Sequence, residues 1–300
     1  MLAIIIPYYK LTFFKATLQS LVAQTDKRFK VYIGDDASPE DCSVLLQQFQ
    51  GQIDFKYHRF DANLGAISLT QQWERCIALS NDEQWLMILG DDDVLDDNCV
   101  ASFYANEVEI KENKSNVIRY ACKVINAQGN VFLGPYFHPK LELASDFYCR
   151  KVKNLTRSSL SEYIFKKEVF NQYKFVNYPL AWHSDDKAWL DFSENKPIYT
   201  INEAIVYVRF SEINISGRQD NITQKLTATF QFYGDILSDK KNVFTSKQVL
   251  TILMSYEVII KKNRKLNFNE WIFLFRNYFF NFKLIPFLKF IRRFLISIST

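Results

Sequence analysis

The chain has 300 residues, of which 48% are hydrophobic and 23% charged, the balance of a globular protein with a sizeable buried core; its 8 glycines and 7 prolines exclude fibrous and low-complexity classes. Five cysteines without a Cys-x-x-Cys pair and only 3 histidines exclude a zinc site of ordinary spacing and point to a reducing compartment. The net charge of +4 is uneven: residues 261–300 hold nine Lys/Arg and a single acid, Glu270, whereas residues 1–260 are mildly acidic.

In chain order, Leu2–Ile6 is a continuous apolar run ended by Pro7, the pattern of a buried parallel strand. Phe14, Leu18, Leu21 and Val22 recur at helical spacing. Lys30–Gly34 reads as a second strand ended by Asp35-Asp36, residues 40–50 as a helix, and Ile53–Tyr57 as a third strand. A helix over 66–79 places Ile67, Leu69, Trp73 and Ile77 near one face. Trp85–Leu89 is a fourth strand, closed by Gly90 and three aspartates. Strands alternating with helices of this length predict βαβ units and a mostly parallel sheet. Val117–Ile125 and Val131–Leu133 predict a hairpin about Gln128-Gly129-Asn130. Residues 135–180 show little periodicity and are expected to be irregular. A helix over 184–193, with Ser184 able to cap it, and a strand near Ala204–Arg209 follow; from about 219 the pattern is helical. No run of 18 uncharged apolar residues occurs, and the N-terminus has no basic start, so neither a spanning helix nor a leader is expected.

Ligands of parallel α/β sheets bind beyond the carboxyl ends of the strands. Pro7-Tyr8-Tyr9, Asp35-Asp36 and Asp91-Asp92-Asp93 all fall there, which crowds carboxylates on one rim. Crowded carboxylates repel unless a cation neutralises them, and hard divalent ions such as Mg²⁺ or Mn²⁺ prefer oxygen ligands shared with substrate phosphates. Solvated loop acids are the plain alternative for any one cluster. No Gly-x-Gly occurs, which excludes a dinucleotide-binding turn, and no Gly-x-x-x-x-Gly-Lys-Ser/Thr occurs, which excludes a phosphate loop.

Ala3-Ile-Ile-Ile-Pro-Tyr-Tyr-Lys10, Gly34-Asp-Asp-Ala-Ser38, Asn63-Leu-Gly65 and Leu89-Gly-Asp-Asp-Asp-Val94 together resemble the successive signatures of family-2 glycosyltransferases. The resemblance implies the GT-A fold: an α/β, Rossmann-like, mostly parallel sheet flanked by helices, here with a C-terminal helical appendage. It covers a catalytic domain at 1–215, with a nucleotide-sugar half at about 1–100 and an acceptor half at about 101–215; residues 216–300 form the basic, aromatic extension. It implies an inverting transferase that uses a nucleotide-sugar donor and Mn²⁺ or Mg²⁺. By the same resemblance Pro7, Tyr8 and Tyr9 line the base and ribose, Asp36 bonds the base (commonly uracil), and Asp91 faces ribose or donor sugar. Asp92 is the implied metal ligand, with Asp93 as the alternative, because Gly90 stands where the commoner motif begins. Trp182-His-Ser-Asp-Asp-Lys-Ala-Trp-Leu190 resembles the acceptor-side acidic motif. Aligning on Trp189 makes Asp185 the general base and leaves Asp186 as the alternative. Arg209 and Arg218 are candidates to reach the diphosphate. The Gln-x-x-Arg-Trp signature of processive synthases is absent, so a single addition is expected.

Residues 287–298, written as a helix, put Phe287, Phe290, Ile291, Phe294, Leu295 and Ile298 on one face and Lys289, Arg292 and Arg293 on the other. Such a helix suits an anionic membrane surface; the alternative is packing on the catalytic domain or on a second copy in a homo-oligomer. The expected setting is cytoplasmic, peripheral on the inner face of the plasma membrane. The expected acceptor is a glycan, such as a lipid-linked capsule or O-antigen intermediate, and no nucleic-acid partner is expected. The rival readings are a sugar nucleotidyltransferase of related fold and a non-catalytic sugar-nucleotide or membrane-binding protein.

Overall fold

A computed structural model describes residues 1–212, 217, 220–238 and 244–299. The first part runs β1 (Leu2–Tyr8), α1 (Phe14–Val22), β2 (Phe29–Asp35), α2 (Ser43–Phe49), β3 (Phe55–Arg59), α3 (Leu69–Ile77) and β4 (Trp85–Ile88). It continues with β5 (Val94–Leu95), α4 (Cys99–Ala105), α5 (Glu107–Glu112), β6 (Val117–Ile125), β7 (Val131–Tyr136), β8 (Leu141–Glu142), α6 (Ala144–Val152), β9 (Tyr163–Lys166) and α7 (Lys167–Tyr173). Then come α8 (Ser184–Phe192), β10 (Ile198–Arg209), α9 (Ile222–Ser238), α10 (Ser246–Asn263), α11 (Phe268–Phe280) and α12 (Leu284–Ser299).

The strands form one mixed sheet in the order β3-β2-β1-β4-β9-β6-β10-β5, with β7 on β6 and β8 on β10. β1 pairs in parallel with both β2 and β4, so the chain order reverses between β1 and β4. That reversal is the switch point at which α/β sheets open a crevice. The second half is more mixed: β9 runs antiparallel to β4 and β6, while β10 returns parallel to β6. Along β1, Leu2, Ile4 and Ile6 enter the core on one face while Ala3 and Ile5 enter the core on the other, the period of two that lets a wholly apolar strand serve both.

Residues 135–180, expected to be irregular, hold β8, α6, β9, α7 and two short 3₁₀ turns, Leu160–Glu162 and Pro179–Ala181. These elements are short, and buried ion pairs rather than periodicity fix them: Glu142 on β8 takes both Arg119 of β6 (2.9 Å) and Arg150 of α6 (2.7 Å). The expected face of α3 is also corrected. Its buried residues are Thr70, Gln72, Cys76 and Ile77; Ile67 precedes the helix and is exposed.

The C-terminal helices are not loosely hung. α9 and α10 pack on α6 and α8 and share a hydrophobic core with one face of the sheet, with Phe232, Tyr256 and Ile260 buried beside Phe147 and Trp189. Capping boxes start α10 (Thr245, Gln248) and α11 (Asn267, Glu270). The face of α12 expected to be free turns inward instead. Phe290 is buried on Trp271 and Tyr278, with Phe287, Ile291 and Phe294 packed around it, while Arg293 pairs with Glu257 of α10 at 2.8 Å. Leu295 and Ile298 remain exposed. The expected boundary at 215/216 falls outside the described residues. Among the described residues no helix is long and apolar enough to cross a membrane.

Candidate active site

The segments that follow β1 and β4 meet at the switch point. Asp91 Oδ2 accepts the backbone N–H groups of Tyr9 and Lys10, each at 2.8 Å, and so ties the two strand ends together. Burial pushes the Asp91 carboxyl up to about 6, against the pull of those amides. A cavity of about 1020 Å³ opens above this junction. Pro7, Tyr9, Asp36 and Asp91–Asp93 wall one part of it, and Trp73, Asn177–Leu180, Gln224 and Gln231 wall another.

Of the three aspartates, Asp93 is the most fixed. It is buried, its Oδ1 accepts the Arg209 N–H at 2.8 Å, and its carbonyl accepts the Thr17 hydroxyl at 2.8 Å. Burial raises its pKa, opposed by hydrogen bonds from Ser161 and Arg209. Ser161 Oγ also accepts the Gly90 N–H at 3.0 Å, which holds the start of the acidic loop. Gly90 itself leaves a cradle: a Cβ placed there would meet Asp92 Oδ1 at 2.9 Å and Asp93 Oδ2 at 3.0 Å. Two carboxylate oxygens from adjacent residues thus approach one small gap on the cavity wall, a donor set suited to a hard cation. Among the described residues no three His, Cys, Asp or Glu side chains gather as a metal-holding group, so any further ligands would have to come from substrate or water.

Arg209 lines the cavity but braces the acidic loop as well. Its Nε donates to the Asp92 carbonyl and its Nη1 to the Asn126 carbonyl, both at 2.8 Å, and its guanidinium lies over the Phe13 ring. Arg218 lies outside the described residues. Asp36 likewise organises a wall. Its oxygens accept the N–H groups of Leu64 (2.7 Å) and Gly65 (2.9 Å), and it pairs with Arg75. A Cβ at Gly65 would stand 2.5 Å from Asp36 Oδ2, which is why the Asn63-Leu-Gly65 turn needs glycine. Tyr8, expected on the cavity, is instead buried under α1 beside Phe14, its hydroxyl donating to the Glu40 carbonyl at 2.7 Å. β1 extends through Tyr8, whose parity is that of Ile4 and Ile6, so Tyr9 alone of the pair lines the cavity.

The second acidic cluster lies at the start of α8. The preceding segment is strained: Leu180, Ala181 and His183 all have left-handed φ values (59°, 52° and 71°). His183, not Ser184, occupies the N-cap position, and the Ser184 hydroxyl donates to the Val176 carbonyl. Asp186 is buried between Lys151 Nζ (2.5 Å) and His183 Nδ1 (2.8 Å). Burial works to raise its pKa, but Lys151 and His183 outweigh it and hold the carboxyl low. Burial also lowers the His183 pKa, so that contact is a hydrogen bond from a neutral imidazole. Asp185 accepts the Asp186 backbone N–H on its Oδ1 at 2.9 Å. It is partly exposed, and burial with the Asp186 charge beside it pushes it up to about 6. Neither residue lines the cavity, although the wall residues Asn177–Leu180 lead directly into α8.

Arg157 and Glu162, paired at 2.6 Å, escaped the sequence reading. The Glu162 charge helps to raise the pKa of both Asp93 and Asp185, so it lies within electrostatic reach of both acidic clusters. Lys10, Ser161 and Lys151 escaped it too. Ser161 and Lys151 carry no sequence signal, because each acts through a partner dozens of residues away.

Residues 3–131 match the family model described as Glycosyl transferase family 2. Among solved structures, S. aureus TarS 1–349 in complex with UDP-GlcNAc superposes with a TM-score of 0.67 at 14% identity, covering 92% of this chain and 79% of that one. The same TarS fragment in complex with UDP gives 0.61 at 15% identity, with the same coverage. GalNAc-T7 with UDP, GalNAc and Mn²⁺ gives 0.53 at 11% identity, covering 82% of this chain and 51% of that one. These likenesses fix the fold as GT-A. No curated protein matches the sequence.

Proposed function

We propose that the chain, whose residues 3–131 match the Glycosyl transferase family 2 model and whose fold is GT-A, is an enzyme of that class that moves one sugar, with inversion, from a UDP-sugar to a glycan hydroxyl carried on a lipid at the cytoplasmic face of a membrane. The observation that carries this reading is the cavity of about 1020 Å³ at the β1/β4 switch point, with the Asp92 and Asp93 oxygens converging at its wall. It is as large as small-molecule sites become, about 300–1,000 Å³, and so has room for a nucleoside diphosphate and a sugar. The TarS and GalNAc-T7 structures, described with UDP or UDP-GlcNAc and in one case Mn²⁺, support the donor class.

Tyr9 and Pro7 form the face against which a base and ribose would lie. Asp92, with Asp93 beside it, would hold a divalent cation. When bound, that ion neutralises charge on the departing diphosphate. Asp185, off the cavity wall but at the start of α8 just beyond the wall residues Asn177–Leu180, is assigned as general base by the acceptor-side motif. The acceptor oxygen bonds to the anomeric carbon, the bond to the diphosphate oxygen breaks on the opposite face, and the hydroxyl proton passes to the carboxylate. Asp186, held by Lys151 and His183, keeps its charge beside Asp185 and maintains its basicity.

The test is product release from a panel of UDP-sugars and other nucleotide sugars with Mn²⁺ and a lipid-linked glycan extract. UDP appearing together with sugar transfer supports the reading. Pyrophosphate released in a parallel reaction of UTP with sugar 1-phosphates would identify the nucleotidyltransferase instead, and a thermal shift on UDP-sugar without any turnover would leave a binding protein.

A further inference from the structure

The α11–α12 corner presents a surface that the catalytic reading does not use. Phe279, Phe280, Phe282, Leu284, Ile285 and Leu288 are each more than half exposed, contiguous in sequence across the turn between the two helices. The neighbouring aromatic rings leave them open: Phe290 is buried on Trp271 and Tyr278, and Phe287 packs on Phe275 and on Phe282, which stays more than half exposed. Monomeric soluble proteins scatter single exposed apolar residues but rarely gather six of them at one corner.

The charges around this corner are of one sign. From Trp271 to the C-terminus the sequence contains no acidic residue. Arg276 on α11, Lys283 in the turn, and Lys289 and Arg292 on α12 are all exposed, while Arg293 is occupied by Glu257. An apolar tip ringed by cations matches a surface that is anionic at its face and apolar beneath it. A second copy of this corner is a poor match, since a two-fold contact would set these cations against one another.

We propose that the α11–α12 corner is a membrane-inserting wedge: its six apolar side chains enter the acyl boundary of an anionic leaflet, and Arg276, Lys283, Lys289 and Arg292 bind the headgroups. This deepens, and rests on, the reading of a lipid-linked acceptor, and it relocates the inserting surface from the face of residues 287–298 to the turn before it. The chain attaches through this corner without spanning the bilayer. Long cationic side chains at its edge reach the headgroups while their stems lie along the apolar surface.

The experiment is flotation of the full-length protein with vesicles of phosphatidylcholine alone and of phosphatidylcholine mixed with phosphatidylglycerol, at low and high salt. Wild type is expected to float with the anionic vesicles, less so at high salt, and not with the neutral ones. The charge variant Lys283→Glu/Lys289→Glu/Arg292→Glu should lose affinity for anionic vesicles on the order of a hundredfold or more. The apolar variant Phe280→Ser/Ile285→Ser/Leu288→Ser should keep weak, fully salt-reversible binding. All six sites are exposed, so both variants should fold, and an unchanged melting temperature checks this. Val108→Ser, an equally exposed apolar residue on α5, is the control and should bind as wild type. Wild type that ignores anionic vesicles at low salt, or variants that bind like wild type, would overturn the proposal. So would a concentration-dependent dimer that the apolar variant abolishes. None of these readouts involves turnover: a wild type that floats but releases no UDP leaves the wedge standing and removes the transferase reading, and the reverse result does the opposite.

Discussion

Asp185 and Asp186 are neighbours driven in opposite directions, the arrangement that separates a proton acceptor from a fixed charge. Asp186 is held ionised by Lys151 and His183, whereas burial and the Asp186 charge push Asp185 up to about 6. A base must be deprotonated to act, so kcat should fall as pH drops through about 6. Asp185→Asn should lower kcat by about 10²–10⁴ while donor affinity, read by UDP-sugar titration, stays within error. A pH limb unchanged in Asp185→Asn would assign the titration elsewhere. The same shift has a stability sign. A carboxyl whose pKa rises on folding stabilises the fold below the ordinary carboxylate range, and that contribution is lost as pH rises through the raised value. Asn cannot ionise, so Asp185→Asn should melt at a higher temperature than wild type at about pH 8, by less at about pH 5, and close to it only below about pH 4. At the donor end, Gly65→Ala would drive a methyl group into Asp36 Oδ2 and loosen the Leu64 and Gly65 amides from it. Weaker UDP-sugar binding is the expected result, together with a melting temperature lowered by the loss of those hydrogen bonds to a buried carboxylate. The residue types were legible at this scale because carboxylates and aromatics fall at strand ends. Their individual duties were not: Tyr8 turned inward on strand parity, and Asp91, Asp93, Asp36 and Arg209 are engaged by backbone groups far off in sequence.

At the scale of elements, β1 to β4 and the helices between them could be read directly, the buried strands from their apolar runs and the helices from their spacing, although the buried face of α3 could not. The stretch from β8 to α7 could not, because a two-residue strand and 3₁₀ turns have no period to show. What holds them is the buried network of Glu142 with Arg119 and Arg150, which joins β8, β6 and α6. Arg119 is fully buried, its guanidinium also lying over the Phe147 ring. Glu142→Gln leaves two guanidinium groups beside a neutral amide in the interior. Breaking one side of such a pair costs about 3–5 kcal/mol, so a large loss of denaturant midpoint is expected. Glu107→Gln, which breaks the exposed Lys111 pair on α5, should cost within about 0.5 kcal/mol by the same measurement. Equal losses for the two would show that the buried network does not anchor β8. The tail follows the same logic: the amphipathic period of 287–298 was visible, but not which partner its apolar face would take.

At the scale of the whole molecule, the C-terminal helices and the cavity are mechanically one body. α9 supplies Gln224 and Gln231 to the cavity wall, receives the Tyr178 hydroxyl on Asp235 at 2.6 Å, and places Thr229 against His183 at 3.1 Å. The strained 180–183 segment is therefore held from the α9 side as well as from the sheet. A single hydrophobic cluster runs from Ala3 and Ile5 on β1 through Trp189 on α8 to Phe232 and Tyr256, so no seam of polar contacts divides sheet from helices. Elements that share one core unfold together. Heating the full chain should give one calorimetric transition whose van't Hoff and calorimetric enthalpies agree. Ligands that bind only the folded state raise that transition as a unit, so Mn²⁺ with UDP should shift all of it. The 1–212 fragment, stripped of the helices that cover Phe147, Tyr148 and Trp189, should fail to refold to a cooperative state. Two resolved transitions, with only the lower-melting one responding to UDP, would mean instead that the helical extension is a separate unit and that the cavity does not depend on α9.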